Sequence, residues 1–245
     1  MKTKIYDTLR EKFITLIKEN DLESDEIIIR AAPLSVEEAI GRPVDRDYPL
    51  VIGRERLMQA EFRDCYGQAF TDMYHNYDGC LSDVAALALG DNFQRAVFIA
   101  SLNAVMRYLG RAAKTVHCKD EEPRQCAAEL ADYIEKSYSR PRIALIGFQP
   151  RILEALSPRF EIRVTDLDKK NIGTEKFGVV VHGPEKTQEH LDWCDIALVT
   201  GTTIVNDTIE PILKMIKDKD IIFYGTTISG AAELLGLKHF CHCGH

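Results

Sequence analysis

Several absences bound what this chain can do. No apolar run approaches the roughly 20 residues that a membrane-spanning helix needs. Lys and Arg together number 31 against 38 Asp and Glu, a formal net charge of -7. Nucleic acid is therefore not an expected partner, because neutralising phosphates takes massed positive charge. The 15 glycines nowhere form the G-x-G-x-x-G pattern that lets backbone approach a pyrophosphate, which argues against a standard NAD site. One tryptophan, Trp193, and scattered tyrosines (Tyr66, Tyr74, Tyr77) make no stacking motif. No repeat or low-complexity tract is present. Met1-Lys-Thr-Lys-Ile leads into an amphipathic pattern rather than the apolar stretch of a signal peptide, so a cytoplasmic protein is expected. Seven cysteines, an odd number without a secretion signal, favour free thiols or metal ligands over a disulfide framework.

What is present suffices for a packed core of one or two domains: 245 residues, 45% hydrophobic and 28% charged. Ile5, Leu9, Phe13, Leu16 and Ile17 form the stripe of an amphipathic helix over 1–20. Glu26 to Arg30 reads as a strand, and Ser35 to Glu38 begins a helix-like segment before Gly41. Leu50-Val51-Ile52 and Leu57 to Asp64 read as strands of a hairpin or meander, with Gly53 and Gly67 as punctuation. Asp83 to Leu89 is a short helix. Asp91 or Asn92 caps a longer one that reaches Leu109, apolar nearly all round and therefore buried; Gly110 ends it. A polar loop, Lys114 to Pro123, enters a third helix striped by Cys126, Leu130 and Ile134. After Pro141 the pattern becomes short buried strands alternating with helices, at Arg142–Gly147, Glu161–Asp166, Ile196–Thr200 and Ile221–Gly225. That alternation predicts an α/β fold with a parallel sheet. The expected division is 1–140, an α+β domain, and 141–245, a Rossmann-like domain.

In such sheets ligands lie at the carboxyl ends of the strands, beside helix N-termini. Four turns fall there. The first is Gly147-Phe-Gln149-Pro150. The second carries Asp166, Asp168 and Asn171, with Asp166 where an acid binds ribose hydroxyls or simply caps a turn. The third is Thr200-Gly201-Thr202-Thr203 through Asn206, leading to a helix marked by Asp207 and Glu210 at capping-box spacing, where Pro211 costs the first helical bond if Asp207 is the cap and none if Thr208 is. The fourth holds Thr226 and Thr227. The plain alternative is that these hydroxyls and amides satisfy their own loops.

His117 and Cys118 precede a helix start, whose dipole favours thiolate, so they are candidates for a nucleophile and a base or for half of a metal site. Cys126, on the apolar stripe, reads as a core thiol. In the tail, His239, Cys241, Cys243 and His245 alternate, and in an extended chain would share a face. Thiolate and imidazole suit zinc or another soft-to-borderline ion, with Gly244 permitting the bend that joint ligation needs. The alternative is a last strand through Phe240 with a frayed end.

Gly53-Arg-Glu-Arg-Leu-Met-Gln-Ala-Glu-Phe, Gly67-Gln-Ala-Phe-Thr-Asp72, Ala100-Ser-Leu-Asn-Ala104 and Thr115-Val-His-Cys118 resemble the N-terminal half of the heavy-metal chelation proteins. Gly147-Phe-Gln-Pro150, Thr165-Asp-Leu-Asp168, Asn171-Ile-Gly173, Thr200 to Asn206 and Tyr224-Gly-Thr-Thr227 are similar to that family's Rossmann-like domain of unknown function 364. The resemblance spans nearly the whole chain. It implies an N-terminal domain like that of enolase (domain of unknown function 4213), a Rossmann-like domain after it, and a cleft between them. Fold likeness does not carry enolase chemistry with it. The leading expectation is a protein that binds a small anionic or metal-chelating ligand, or a heavy-metal ion, in that cleft. The other is a transferase or lyase acting on a nucleotide-like substrate such as S-adenosylmethionine. The sequence leaves the oligomeric state open, a homodimer included.

Overall fold

A computed structural model describes residues 4–30, 36–42, 55–216 and 218–245. The expected strand at Leu50-Val51-Ile52, Gly53 and the start at Ser35 lie outside the described residues.

Helix α1 (Lys4–Glu19) buries Leu9, Phe13, Leu16 and Ile17, the stripe its spacing predicts. Strand β1 (Glu26–Arg30), the short helix α2 (Val36–Ile40), β2 (Arg56–Phe62), β3 (Cys65–Thr71) and β4 (Tyr77–Cys80) follow. The four strands form an antiparallel sheet in the order β3-β2-β1-β4. Gly67, expected as punctuation, lies inside β3. A Cβ there would collide with the backbone of Ala100 and Ala104 on the next long helix, so the glycine serves close packing of helix on strand.

After α3 (Leu81–Ala86) comes that helix, α4 (Asn92–Tyr108), capped by the Asp91 carboxylate accepting from the Gln94 N–H at 2.8 Å. Residues 95–106 are all buried. The reason is that one apolar cluster surrounds it: Phe98 meets Phe13 of α1 edge-on at 5.4 Å, while Arg95 donates to the carbonyls of Val205 (2.6 Å) and Leu89 (2.9 Å). Asn103 works in the same way. Its amide donates to Gln68 O and Thr227 O, both at 2.9 Å, and accepts from Gly230 N at 2.8 Å. One apolar cluster accordingly runs from α1, β2 and β3 through α4 to residues of the second sheet.

That second sheet has seven strands in the order β11-β10-β9-β5-β6-β8-β7. They are β5 (Ile143–Ile146), β6 (Ile162–Thr165), β7 (Glu175–Lys176), β8 (Val179–His182), β9 (Ile196–Thr200), β10 (Asp220–Tyr224) and β11 (His239–Phe240). All pair in parallel except the β7–β8 hairpin. β5 and β9 are apolar on both faces because both faces are covered. Ala144, Ile146, Ala197 and Val199 join the cluster around α4. Ile143, Leu145, Ile196 and Leu198 face α5 (Glu122–Tyr138) and α6 (Pro150–Leu156). α5, which precedes Pro141, thus packs on the second sheet. α7 (Thr187–Trp193), α8 (Ile209–Ile216) and α9 (Ser229–Leu235) supply the remaining connections. The expected capping box before α8 does not form. Asp207 sits at φ 59, whereas a cap residue is extended. Thr208 takes the place, its carbonyl accepting from Ile212 N at 3.3 Å. Pro211 then costs no helical bond. No described helix is long and apolar enough to cross a membrane.

Candidate functional site

From β5 the chain moves outward through β6 to β8, then returns to β9 on the other side of β5. The reversal point lies between β5 and β9, where open α/β sheets hold ligands. A cavity of about 1000 Å3 opens there. All four polar turns line it, as do Glu55, Phe70, Asp72 and Asn92 from the first half, His117 and Cys118 from the loop before α5, Cys126 from α5, and Cys241 from the tail.

Gly147 is held at φ 93, and a Cβ would stand 2.5 Å from Thr200 Cγ2, so the two strand ends close the floor together. Several predicted ligand groups prove to be committed to the fold. The Gln149 side chain caps α6, accepting from Ile152 N at 2.6 Å. Asp166 accepts from Phe148 N (2.6 Å), Asp168 N (2.7 Å) and Asn171 Nδ2 (3.2 Å), which binds the first two turns to each other. Asp168 accepts from Lys170 N at 3.0 Å. Thr203 Oγ1 donates to Thr200 O at 2.8 Å, and Thr227 Oγ1 accepts from Phe70 N at 3.2 Å, a bond between the halves. Thr200 and Thr202 share one hydroxyl contact of 3.1 Å. Gly201 is buried against Ile228. The side-chain hydroxyl of Thr226 has no partner among the described residues. With the half-buried Asn206 amide it gives this wall hydrogen-bonding capacity beyond its own needs.

Opposite them, His117 is fixed by its backbone N–H donating to Gln68 Oε1 (2.7 Å) and by Nδ1 against Cys118 O (2.6 Å). Donation from Nδ1 to that carbonyl leaves Nε2 with its lone pair. Burial pushes the ring down to about 4, so it is neutral near pH 7. Cys118 is buried, and burial pushes its thiol up, with the neighbouring Cys126 and Cys243 adding to the rise. This is opposite to the expectation from a helix start. Desolvation outweighs the dipole because Cys118 lies a full turn before α5.

The activated sulfur is instead Cys126, expected as a core thiol. It is half-buried in the cavity wall, and the tail, Cys241 first and then the backbone of Cys243 and His242, holds its thiol below the usual range. Cys241 is pushed up by Cys126 and by burial. Burial first, then Cys126, pushes Cys243 up to about 11. Four cysteines, 118, 126, 241 and 243, therefore feel one another at the end of the cavity, and all are free thiols.

The tail makes this possible by turning after a two-residue strand rather than continuing extended. His239 is drawn off to Gly225 O at 2.9 Å. His245 exchanges backbone bonds with Val116 (2.7 and 2.9 Å) and reaches Glu122 Oε2 at 3.0 Å. Thus Cys118, Cys241 and Cys243 come together with Cys126, while His239 and His245 are engaged elsewhere. Among the described residues no three His, Cys, Asp or Glu side chains stand close enough to hold an ion as they are.

Sequence reasoning passed over Cys126 and also Glu55. Glu55 is half-buried by area and lines the cavity. Burial raises its carboxyl to about 7, and Asp166, Asp72 and Asp168 add to the rise. Nothing in the repeating pattern of Arg-Glu-Arg marked it. For Cys126, the start of α5 at Glu122 was the available signal, since it sets that residue one turn in, on the side facing Cys118.

Comparison with known proteins supports the fold and narrows the class. No curated protein matches the chain. A crystal structure of a protein of unknown function from the DUF364 family of Pyrococcus horikoshii superposes with a TM-score of 0.61 at 16% identity, covering 94% of this chain and 82% of the other. One from Desulfitobacterium hafniense DCB-2, of the same family, gives 0.54 at 12%, covering 93% and 83%. The mixed α/β fold with its parallel-rich seven-stranded sheet is therefore that of these neighbours. Residues 129–240, from within α5 to the last strand, match the family DUF364, described as "Putative heavy-metal chelation".

Proposed function

We propose that the protein binds a thiophilic metal ion, free or carried by a small anionic chelator, in the cleft between its halves. One observation carries this reading: Cys118, Cys126 and Cys241 line the same cavity as the strand-end turns Thr200–Asn206 and Gly225–Thr227. Thiolates suit soft and borderline ions. Cys126 and Cys241 are the first donors offered to an incoming ion, with Cys118, Cys243 and Nε2 of His117 as further donors. The turns hold the organic part through backbone N–H groups, the Asn206 amide and the Thr226 hydroxyl. In this reading residues 1–140 form an enolase N-terminal-like domain that lends α5 to the Rossmann-like unit, 141–245, and the protein works in the cytoplasm.

Cadmium titration of the reduced protein tests it, read by sulfur-to-metal charge-transfer absorption. Cys118→Ser is expected to weaken binding at least tenfold, while Asn206→Ala leaves free-ion binding intact and weakens a chelate. Parent-like binding by the cysteine variant defeats the proposal. A ligand at 100 times its Kd should add about 2.7 kcal/mol, a rise of roughly 5–11 °C for a chain of this length.

A second reading, a transferase or lyase on a substrate such as S-adenosylmethionine, has Glu55 in its favour. A carboxyl near 7 beside the strand ends can exchange a proton with a ligand at neutral pH. Thermal shift with S-adenosylmethionine and none with metals would favour it.

A further inference from the structure

Away from the thiols, the cleft is acidic. Arg56 and Thr71 pair at the end of the β2–β3 ladder, so Glu55 and Asp72 leave it side by side. Asp166 and Asp168 follow β6 in one turn, joined by the 2.7 Å bond from Asp168 N to Asp166 Oδ1. All four carboxylates line the cavity, and the fold does not use up their capacity. Asp72 Oδ1 accepts from Asn92 Nδ2 at 2.7 Å. No donor among the described residues reaches Asp72 Oδ2 or the Glu55 carboxylate. Asp166 Oδ1 accepts two bonds but Oδ2 only the one from Phe148 N, which leaves Oδ2 a lone pair. Lys169 and Lys170 share this wall but are exposed, as are Asp72 and Asp168. The acids left without a counter-charge are the half-buried Glu55 and Asp166. Thr165, immediately before Asp166, is a separate sign of a ligand. It is 2% exposed, yet its hydroxyl has no partner among the described residues. Its register partner Ile146 belongs to the cluster around α4, and both line the cavity. The hydroxyl therefore lies on the sheet face that the first half covers. A buried hydroxyl is costly to leave unbonded, so it marks a place that a ligand completes.

We propose that this end of the cleft binds the ammonium group of an amine-bearing chelator. Asp166 Oδ2, Glu55 and the Thr165 hydroxyl accept its three N–H bonds, and Asp72 adds attraction from the rim. An organic cation suits the place better than an inorganic one. Among the described residues no three acidic, histidine or cysteine side chains stand close enough to share one ion. A hard divalent ion draws six or more oxygens to about 2.0–2.6 Å. An alkylammonium bonds at about 2.7–2.9 Å and brings a single charge. It also gives Glu55, whose ionisation burial opposes, a partner for its charge. An ion on the thiols does not serve these acids. Cys241 follows β11 and Asp166 follows β6, four strand spacings apart in the order β11-β10-β9-β5-β6, or roughly 19 Å. The chelator is therefore elongated, with an amine at one end and its metal-binding donors at the other. That identity rests on the metal-binding reading above; the amine site itself does not.

Calorimetric titration of the full chain, metal-free and at low salt, with spermidine tests the site. Binding of one spermidine per chain is expected. Thr165→Val should weaken it at least threefold while melting no lower than the parent, because valine removes a hydroxyl that the fold leaves unbonded. A merely structural threonine would do the reverse, lowering the melting temperature and leaving the affinity alone. Glu55→Gln should also weaken binding at least threefold. Glu11→Gln, the same change at an exposed position of α1, should match the parent. The proposal is overturned if millimolar spermidine does not bind, if both cleft variants bind like the parent, or if an equal concentration of calcium displaces the amine. If spermidine binds as expected and cadmium does not, the metal-binding reading fails and the amine site stands. If cadmium binds and spermidine does not, the amine site alone fails.

Discussion

Glu55→Gln is a sharp test of how the cleft is built, because it removes a charge and little else. The Glu55 carboxyl lies in the cavity wall near three other acids. Burial is the main reason its pKa rises from 4.5 to about 7. The folded protein therefore keeps a proton between those values that the unfolded chain has already lost. Stability then falls as pH rises across that window, since the slope follows protons bound unfolded minus protons bound folded. At about 1.4 kcal/mol per pH unit, the span between 4.5 and about 7 amounts to about 3 kcal/mol. Glutamine is neutral throughout and loses nothing. The variant is expected to match the parent at pH 4.5 and to exceed it by up to about 3 kcal/mol at pH 8, roughly 6–12 °C in Tm. Urea unfolding at half-unit pH steps measures this. In a second arm, Asp168→Asn should move the parent's window down by less than one unit, since burial dominates. A stability difference that does not change with pH would show that Glu55 is solvated and that the cavity is not the enclosed space described here.

Three further outcomes follow from the same packing. His190 is held down to about 4, mainly by burial and then by His182 and Arg163. The unfolded chain therefore takes up a proton first, and stability is lost as pH falls from 6.5 toward 4; His190→Asn should flatten that acid limb in a pH series of unfolding curves. Asn103→Ala strips partners from Gln68 O, Thr227 O and Gly230 N at once, which should cost about 2–4 kcal/mol in urea unfolding. Phe98→Ala empties a fully buried position beside Phe13 and should cost about 3–5 kcal/mol. A loss under 1 kcal/mol there would mean that α4 does not pack on α1 as described.

Most of the architecture was legible because burial leaves a period in the sequence. β9 and β5 read as strands since both faces are covered, and α4 read as a buried helix since one apolar cluster surrounds it. β8 escaped because Val180 is 43% exposed and the segment is four residues long, too short to stand out beside polar neighbours. Gly67 was misread for a more general reason. A glycine that admits a neighbouring helix and one that turns the chain are the same letter, and only the position of Ala100 and Ala104 distinguishes them.

The site was half legible, and the divide follows chemistry. The turns could be placed because strand ends in a parallel sheet point one way, so locating the strands locates the loops. Which side chains remain available in those loops could not be read. The groups that bind ligands are also those that cap helices and brace turns, as Gln149, Asp166 and Asn103 do here. The thiols show the limit most clearly. A local rule, thiolate at a helix start, pointed to Cys118, but that rule presumes a sulfur within reach of the helix end and open to solvent. Cys118 has neither, and its burial drives the thiol neutral. Cys126 receives the stabilisation from residues more than a hundred positions away, Cys241 first and then the backbone of Cys243 and His242, which reach it only once the tail has turned back on α5. A charge created by long-range contacts leaves no local trace in the sequence, so reactive sulfur had to be found in three dimensions.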